Sequence, residues 1–250
     1  MSDDWDFYRA KVDHEPASIM VDLGIRNQVP KPTLPYMGYL RLYMLKPRED
    51  GLSSQEEFDD LCEIGDTLEA EIDSAEHIYV GRNTSGGCRD FYFYTPNPEK
   101  LEADLATLMA AFSAYEYETG HREDQRWDTY LTFLYPNDNE MQRILNRRVC
   151  DLLSRDGDDL HVARVIDHRA YFKEKKPLQN YQKFLEEAGF IIKKQGRERP
   201  LFGDFFVDFE RVDIPAEIDD IIIEISKKAV ELGGNYDGWG CLVCRREALH

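Results

Sequence analysis

The cysteine pair near the end of the chain is one of the few arrangements here that could carry chemistry. Cys241 and Cys244 form a C-x-x-C pair inside a segment that the alternating pattern predicts to be a strand. Side chains three residues apart on a strand point to opposite faces, and neither a second cysteine pair nor a close histidine completes a zinc site. His168 and the other histidines are scattered, so no nucleophile, base and orienting group can be named. We predict no catalytic residue, no metal site and no cofactor.

The segment from Gly81 to Asp90 has the residue types of an anion site. Its turn residues, Asn83 to Gly87, lie between Arg82 and Arg89. Successive backbone N–H groups beside two guanidinium groups suit a phosphate or a carboxylate. The segment lacks the spacing of a phosphate-binding P-loop and does not lead directly into a helix. Arg82 and Arg89 are therefore anion-binding candidates, with a plain hairpin turn as the alternative.

An aromatic strand in the second half raises the question of RNA binding. In RNA-recognition motifs the corresponding strand exposes aromatic rings on which bases stack. The segment from Gly203 to Phe209 matches that motif in part, but Asp204 stands where a stacking ring is needed. Asp208 adds repulsion toward phosphate. We expect no direct nucleic-acid binding, and a direct RNA-binding module stays an alternative.

A long acidic run points to a protein partner. Twelve carboxylates and no lysine or arginine lie between Glu49 and Glu76, and like charges one helical turn apart repel each other. We predict that this helix docks a basic partner, with a merely solvated face as the alternative. The partner-binding candidates on it are Glu56, Glu57, Asp59, Asp60 and Glu63.

A glycine-rich run follows the last long helix. It contains Tyr236, Asp237 and Trp239 between Gly233 and Gly240. Glycines on both sides of a large ring allow a bulge or a close backbone approach. Trp239 is interpreted as a buried core aromatic or as part of a binding edge, and all three residues are partner-binding candidates.

Both halves of the chain show the same order of helical and alternating patterns, β-α-β-β-α-β. With right-handed crossovers, this order gives a four-stranded antiparallel sheet with both helices on one face, the ferredoxin-like arrangement. We therefore predict an α+β protein of two tandem ferredoxin-like modules, with domains at residues 1–136 and 137–250 and a linker helix leading the second. In the first module the predicted elements are an extra hairpin (Trp5–Val12, Ala17–Leu23), strand Tyr39–Leu45, a helix capped by Ser53 or Ser54, strands His77–Arg82 and Arg89–Thr95, a helix from Leu101 to Phe112 and strand Trp127–Leu134. In the second they are strand Ala163–Phe172, a helix ended by Gly189, strands Phe190–Lys194 and Phe205–Val212, helix Ile218–Leu232 and strand Tyr236–Val243.

Composition narrows the class of protein. Hydrophobic residues make up 42% and charged residues 32% of 250 residues, which favours folded domains over disorder. Residues 1–125 carry 11 basic and 26 acidic side chains (net -15) of the total net charge of -18, so the first half repels phosphate backbones and favours basic partners. Five scattered cysteines and the lack of an apolar leader or membrane span predict a cytoplasmic protein.

The second module resembles the regulator of ribonuclease E activity B family (RraB). The resemblance covers roughly residues 138–245 and rests on the helix end at Ala229 to Leu232, on Tyr236 to Gly240, and on Asp167-His168 and Tyr171-Phe172. It implies a ferredoxin-like fold and a bacterial protein that binds ribonuclease E and restrains RNA cleavage without being an enzyme.

The first 135 residues look like a domain of unknown function that is fused ahead of RraB-like modules in bacteria. The residues that carry this likeness are Pro47 to Leu52, Phe91 to Tyr94 and Leu134 to Pro136. We predict a non-catalytic regulator whose partner has a basic surface and is ribonuclease E or another RNA-processing enzyme. The alternative from another class is an enzyme or small-ligand binder that uses the loop from Arg82 to Arg89.

Overall fold

A computed structural model of the chain describes residues 2–72, 76–199 and 203–245. The chain divides into two compact units, Met1–Glu140 and Met141–His250, and both are α+β with an antiparallel sheet. The predicted division between residues 136 and 137 lies a few residues before this boundary. No helix of the described residues is long and apolar enough to cross a membrane.

The first unit contains a six-stranded sheet of order β1-β2-β4-β5-β3-β6. Helices α1 and α2 pack on one face of it, because their apolar stripes share a core with alternate strand residues such as Leu40 and Phe91. The elements are β1 (Trp5–Val12), β2 (Glu15–Asp22), β3 (Tyr36–Tyr43), α1 (Phe58–Glu71), β4 (Ile78–Ser85), β5 (Cys88–Thr95), α2 (Pro98–Met109) and β6 (Tyr117–Glu123), with a 3-10 turn at Arg26–Gln28 and a π-helical turn at Thr129–Leu134.

The predicted strand Trp127–Leu134 is wrong, since residues 129–134 form a π-helical turn and the sheet takes Tyr117–Glu123 as its last strand. The Asp124 carboxylate accepts the backbone N–H groups of Asp128 and Thr129 at 2.7 and 2.9 Å. Trp127 has a positive φ of 59° and stacks on Tyr94 at 3.7 Å. Tyr94 points away from the face of its neighbour Phe93, which packs under the helices. The turn therefore covers the opposite face of the sheet.

The second unit contains a four-stranded sheet of order β10-β7-β9-β8. Its core joins inward residues of the strands, such as Ala170 and Phe209, to the apolar stripes of α4 and α5, so both helices lie on one face. The elements are α3 (Asp138–Arg155), β7 (Arg164–Phe172), α4 (Lys175–Glu187), β8 (Ile191–Arg197), β9 (Phe205–Asp213), a 3-10 turn (Pro215–Glu217), α5 (Asp219–Glu231) and β10 (Gly234–Gly240).

Strand order in both sheets is compatible with ferredoxin-like modules. In each unit the first strand of the β-α-β-β-α-β series lies between the fourth and the third, and all pairings are antiparallel. The hairpin of β1 and β2 extends the first sheet beside β4. The predicted α+β class is confirmed.

Three local predictions differ from the structure. Helix α1 begins at Phe58 rather than near Ser54, because the Glu57 side chain binds the preceding loop instead of the helix. Strands β4 and β5 continue to a tight turn at Gly86 and Gly87, both with positive φ, which is the geometry that a two-residue hairpin needs. Strand β10 ends at Gly240, so both cysteines of the C-x-x-C pair lie beyond it.

Candidate protein-docking site

Trp239 lies at an irregular edge of the second sheet. Strand β10 is an edge strand, and its register with β7 shifts between Tyr236 and Gly238, where Gly238 has a φ of 134° that favours glycine. Trp239 pairs with His168, so its ring turns toward the helices, where it is partly buried against the core. The ring thus contributes to the fold and also lies at the surface.

A polar network fixes helix α3 beside this edge. The Trp239 indole Nε1 donates to Asn146 Oδ1 over 3.0 Å, and Gln142 Nε2 donates to the same oxygen, also over 3.0 Å. Asn146 is 1% exposed, and its Nδ2 donates to Asp219 Oδ1 over 2.8 Å at the start of α5. Arg143 forms ion pairs with Asp219 and Asp220. This network joins α3 to both β10 and α5.

Between α3 and β10 runs a groove of about 310 Å³. Its apolar wall is a stripe of Leu145, Val149 and Leu152 on α3, in which Leu145 is 44% and Leu152 is 59% exposed. The opposite wall is the segment from Tyr236 to Trp239. Exposed leucines beside a fixed polar network resemble the apolar core and polar rim of a protein interface.

Tyr236 lies on the buried side of the groove wall that β10 forms. It is buried, and its hydroxyl shares a hydrogen bond of 2.9 Å with His168 Nδ1. Burial raises the pKa of Tyr236. Burial, aided by the charge of Arg211, lowers the pKa of His168 to about 3, so this imidazole is neutral at neutral pH. Of the three candidates on β10, Asp237 is exposed, Trp239 is partly exposed and Tyr236 is internal.

Of the segment from Gly203 to Phe209, Phe206 and Asp208 lie on the sheet face opposite the helices, whereas Val207 and Phe209 belong to the core under the helices. Phe206 has Arg169 at 5.2 Å and Lys194 at 5.6 Å from its ring centroid. Arg169 also forms a two-point ion pair with Asp208. Stacking of a base on Phe206 would therefore compete with two cations that already cover the ring.

The acidic candidates divide into one structural residue and four surface residues. Glu57 is 2% exposed, and its carboxylate accepts the backbone N–H groups of Leu45 and Lys46, both over 2.8 Å. Glu56 is exposed and pairs with Lys46. Asp59, Asp60 and Glu63 are exposed on α1. We call these three residues the acidic face.

Arg82 and Arg89 lie on neighbouring strands with their side chains on the face of α1, not in a loop. Arg89 is buried and donates to Thr84 Oγ1, to the Leu61 carbonyl oxygen and to Ser53 Oγ. Burial, aided by the charge of Arg82, lowers the pKa of Arg89 to about 10. The protein itself supplies the acceptors for Arg89, which makes it part of the packing between α1 and the hairpin.

The cysteine pair is held by neighbouring side chains. Cys241 Sγ accepts from Arg164 Nε over 3.3 Å, and the backbone N–H of Cys244 donates to Asp158. Within residues 2–72, 76–199 and 203–245 no group of three or more histidines, cysteines or carboxylates could hold a metal ion.

The apolar spacing of the linker helix predicts that Leu145 and Leu152 are buried, and this prediction is wrong, since both are exposed. Sequence reasoning also missed Asn146. The apolar spacing of α3 predicts a helix with a buried stripe, but spacing alone does not say which apolar residues another element covers. Asn146 lies beside that stripe, about 100° around the helix from Leu145, so the spacing gives no signal for its buried polar contacts.

Two family models match this chain. Residues 3–135 match a family of unknown function (DUF695), and residues 143–241 match regulator of ribonuclease activity B. Comparison with curated proteins finds no match.

Two solved structures show weak similarity to this chain. An unknown protein from Galdieria sulphuraria is 11% identical with a TM-score of 0.22, over 81% of this chain and 95% of that chain. A putative glycine cleavage system transcriptional repressor is 8% identical with a TM-score of 0.27, over 84% of this chain and 98% of that chain. Scores this low support no conclusion about either unit.

Proposed function

The chain belongs to the DUF695 family of unknown function and carries an RraB-like domain after it, and from this premise we propose that it is a non-catalytic regulator of RNA processing. RraB proteins are regulators of ribonuclease activity, which supports a regulatory role for the second unit. The proposed partner is ribonuclease E or another RNA-processing enzyme with a basic surface, and the proposed compartment is the cytoplasm. The proposed architecture is two tandem ferredoxin-like modules divided near residue 136.

The observation that carries this proposal is the groove between α3 and β10. Leu145 and Leu152 offer apolar surface that is still exposed in this chain, and burying such surface favours association. The hydrogen bonds of Asn146 hold both walls in place. A preformed groove loses little side-chain freedom when a partner binds. Its volume of about 310 Å³ suits a few apolar side chains of a partner segment.

The acidic face supports the choice of a basic partner. Asp59, Asp60 and Glu63 are exposed and lie in a stretch without a lysine or an arginine. Their field accelerates encounter with a cationic surface and repels RNA. Binding through this face would act on the arginine-rich segments with which RNA-processing enzymes hold RNA.

Binding and RNA cleavage by purified ribonuclease E, with and without the full chain, test the proposal. The groove variant is Leu145→Ser with Leu152→Ser. The matched control is Val165→Ser with Val212→Ser, since these valines are also exposed but lie on the sheet face opposite the helices. We expect the groove variant to lose binding and restraint of cleavage, and the control to keep both. Equal binding by the two variants would show that the groove is not part of the interface. If the wild-type protein leaves RNA cleavage by ribonuclease E and other RNA-processing ribonucleases unchanged, the proposed regulation is refuted.

A further inference from the structure

The first unit has a small cleft on the sheet face that the π-helical turn covers. Its volume is about 270 Å³, and every residue that lines it belongs to this unit. The cleft is lined by Met37, Tyr39, Arg41, Asp90, Tyr92, Arg122, Thr129 and Phe133. It lies across the sheet from Arg82 and Arg89.

Arg122 provides a positive charge without a counter-charge. One of its terminal nitrogens donates to Thr129 Oγ1 over 2.8 Å, and within the described chain no carboxylate lies at ion-pair distance from it. Asp124, the acid beside Thr129, accepts the Tyr94 hydroxyl at 2.6 Å and two backbone N–H groups. Arg122 thus keeps donors that can face a ligand, and Thr129 fixes its direction.

The other charges that line the cleft neutralise each other. Arg41 binds Asp90 through two nitrogens at 2.7 and 2.9 Å, and the Tyr92 hydroxyl donates to the same carboxylate at 3.3 Å. Asp90 is almost fully buried. The lining therefore has a net positive charge that comes from Arg122, within a half of the chain whose net charge is strongly negative.

The remaining walls are aromatic. The ring of Tyr39 lies over Gly120, where a Cβ atom would approach ring atoms to 2.8 Å, so the missing side chain makes room for this ring. Phe133 meets Tyr92 edge to face with centroids 5.8 Å apart. Flat apolar walls beside one guanidinium group fit a compact ligand that has a ring and one anionic group.

We propose that this cleft binds a small organic anion, with its carboxylate or phosphate on Arg122 and its ring against Tyr39 and Phe133. The inference is independent of the proposed function, because it concerns a different unit and a different class of ligand. The proposed site differs from the candidate pair Arg82 and Arg89, whose side chains lie on the opposite sheet face.

Calorimetric titration of the full chain with benzoate and phenyl phosphate tests the proposal, and benzyl alcohol serves as the uncharged probe. Both anions should bind with dissociation constants below about 10 mM, a weak affinity in keeping with so small a site. The alcohol should bind at least about tenfold more weakly, since charge-assisted hydrogen bonds exceed neutral ones. Tighter binding of benzoate identifies a carboxylate ligand, and tighter binding of phenyl phosphate identifies a phosphate ligand.

Three variants locate the site. Arg122→Gln should weaken both anions by about tenfold to a hundredfold. Arg126→Gln is the matched control, because Arg126 lies four residues on, is exposed and, among the described residues, forms its ion pair with Asp128 alone. Arg82→Gln should also leave binding unchanged. The proposal is overturned if neither anion binds to the wild-type protein, if Arg122→Gln binds as the wild type does, or if Arg82→Gln weakens binding as strongly.

Discussion

Trp239 donates its indole N–H to the side-chain oxygen of Asn146 over 3.0 Å, and this bond joins the edge strand β10 to helix α3. The amide nitrogen of Asn146 donates to Asp219 at the start of α5. One buried amide therefore holds three elements together around the groove. Both walls of the groove are fixed before a partner binds. The stability of the second unit and the shape of the groove therefore depend on the same hydrogen bonds.

This coupling predicts that Trp239→Phe lowers the free energy of unfolding of the second unit by about 0.5 to 1.5 kcal/mol, the net value of one hydrogen bond. Trp239→Ala should cost less than the about 3 to 5 kcal/mol of a fully buried ring, since this ring is only partly buried. Urea unfolding, followed for each unit by hydrogen exchange, measures both. In a double-mutant cycle with Asn146→Ala, a coupling energy near zero would contradict the role given to this bond.

Trp5→Phe is the matched control in the first unit. The Trp5 indole Nε1 is buried without a hydrogen-bond partner among the described residues, and its ring stacks on Tyr79 at 5.2 Å. Removal of an unpaired buried donor is neutral or stabilising. A loss as large as that of Trp239→Phe would show that ring size, not the hydrogen bond, sets the cost.

Regular periodicity made most of the elements predictable. Strand β1 has the predicted bounds Trp5–Val12, and α5 ends within one residue of the prediction. Helix α5 keeps a period of 3.6, and β1 alternates with one phase change between Phe7 and Tyr8. The last strand of the first sheet was not predictable in this way. Residues 117–123 are polar, while Trp127 to Leu134 has an apolar pattern that the capping contacts of Asp124 fold into a π-helical turn.

The candidate site was predictable only in its residue types. The sequence singles out Trp239, but whether an indole is core or edge depends on what covers it, here an asparagine 93 residues away. The same limit applies to Glu57, which follows Glu56 in a run rich in acids yet turns inward. Contacts between distant segments decide such cases, and no local pattern encodes them.

Glu57→Gln should destabilise the first unit by about 1.5 to 3 kcal/mol, the value of hydrogen bonds to a charged group. The carboxylate accepts two backbone N–H groups with two oxygens, whereas a glutamine can offer only one oxygen. Glu56→Gln, the adjacent control, removes an exposed pair with Lys46 and should change stability by less than about 1 kcal/mol. Equal urea midpoints for the two variants would contradict the structural role of Glu57.

His168 predicts a pH dependence for the second unit. Burial lowers the folded-state pKa of His168 to about 3 from 6.5, so below pH 6.5 the unfolded chain binds a proton that the folded chain does not. The contribution of neutral His168 to the free energy of unfolding is therefore fully present above pH 6.5. It falls as the pH drops toward about 3, by up to about 1.4 kcal/mol per pH unit. Urea unfolding of the second unit between these pH values measures the slope.

His168→Phe keeps a ring beside Phe209, on which the imidazole stacks at 5.1 Å, and removes the titrating group. The variant should be less stable at pH 7, since the Tyr236 hydroxyl loses its partner. Its stability should also fall less steeply between pH 6.5 and 3, because the buried imidazole with the lowered pKa is gone. Parallel pH profiles of variant and wild type would show that His168 binds its proton as readily in the folded as in the unfolded state, which would contradict the lowered pKa.

The acidic face gives the prediction with the clearest bearing on partners. Asp59→Asn, Asp60→Asn and Glu63→Gln together remove like charges within α1, but Asp59 and Asp60 lie in its first turn, where the helix dipole favours acids. The two effects oppose each other, so the stability of the helix should change little. Its association with a basic partner should be slower, and the difference from wild type should shrink as salt reduces the Debye length from about 10 Å at 0.1 M to about 3 Å at 1 M. Stopped-flow association with ribonuclease E at both salt concentrations measures the two rates.

The control variant changes the net charge equally through three exposed acids of the second unit, by Glu174→Gln, Glu186→Gln and Glu187→Gln. It should leave the association rate closer to that of wild type. If both triple variants slow association to the same extent, the overall charge of the protein, rather than the acidic face, steers the partner.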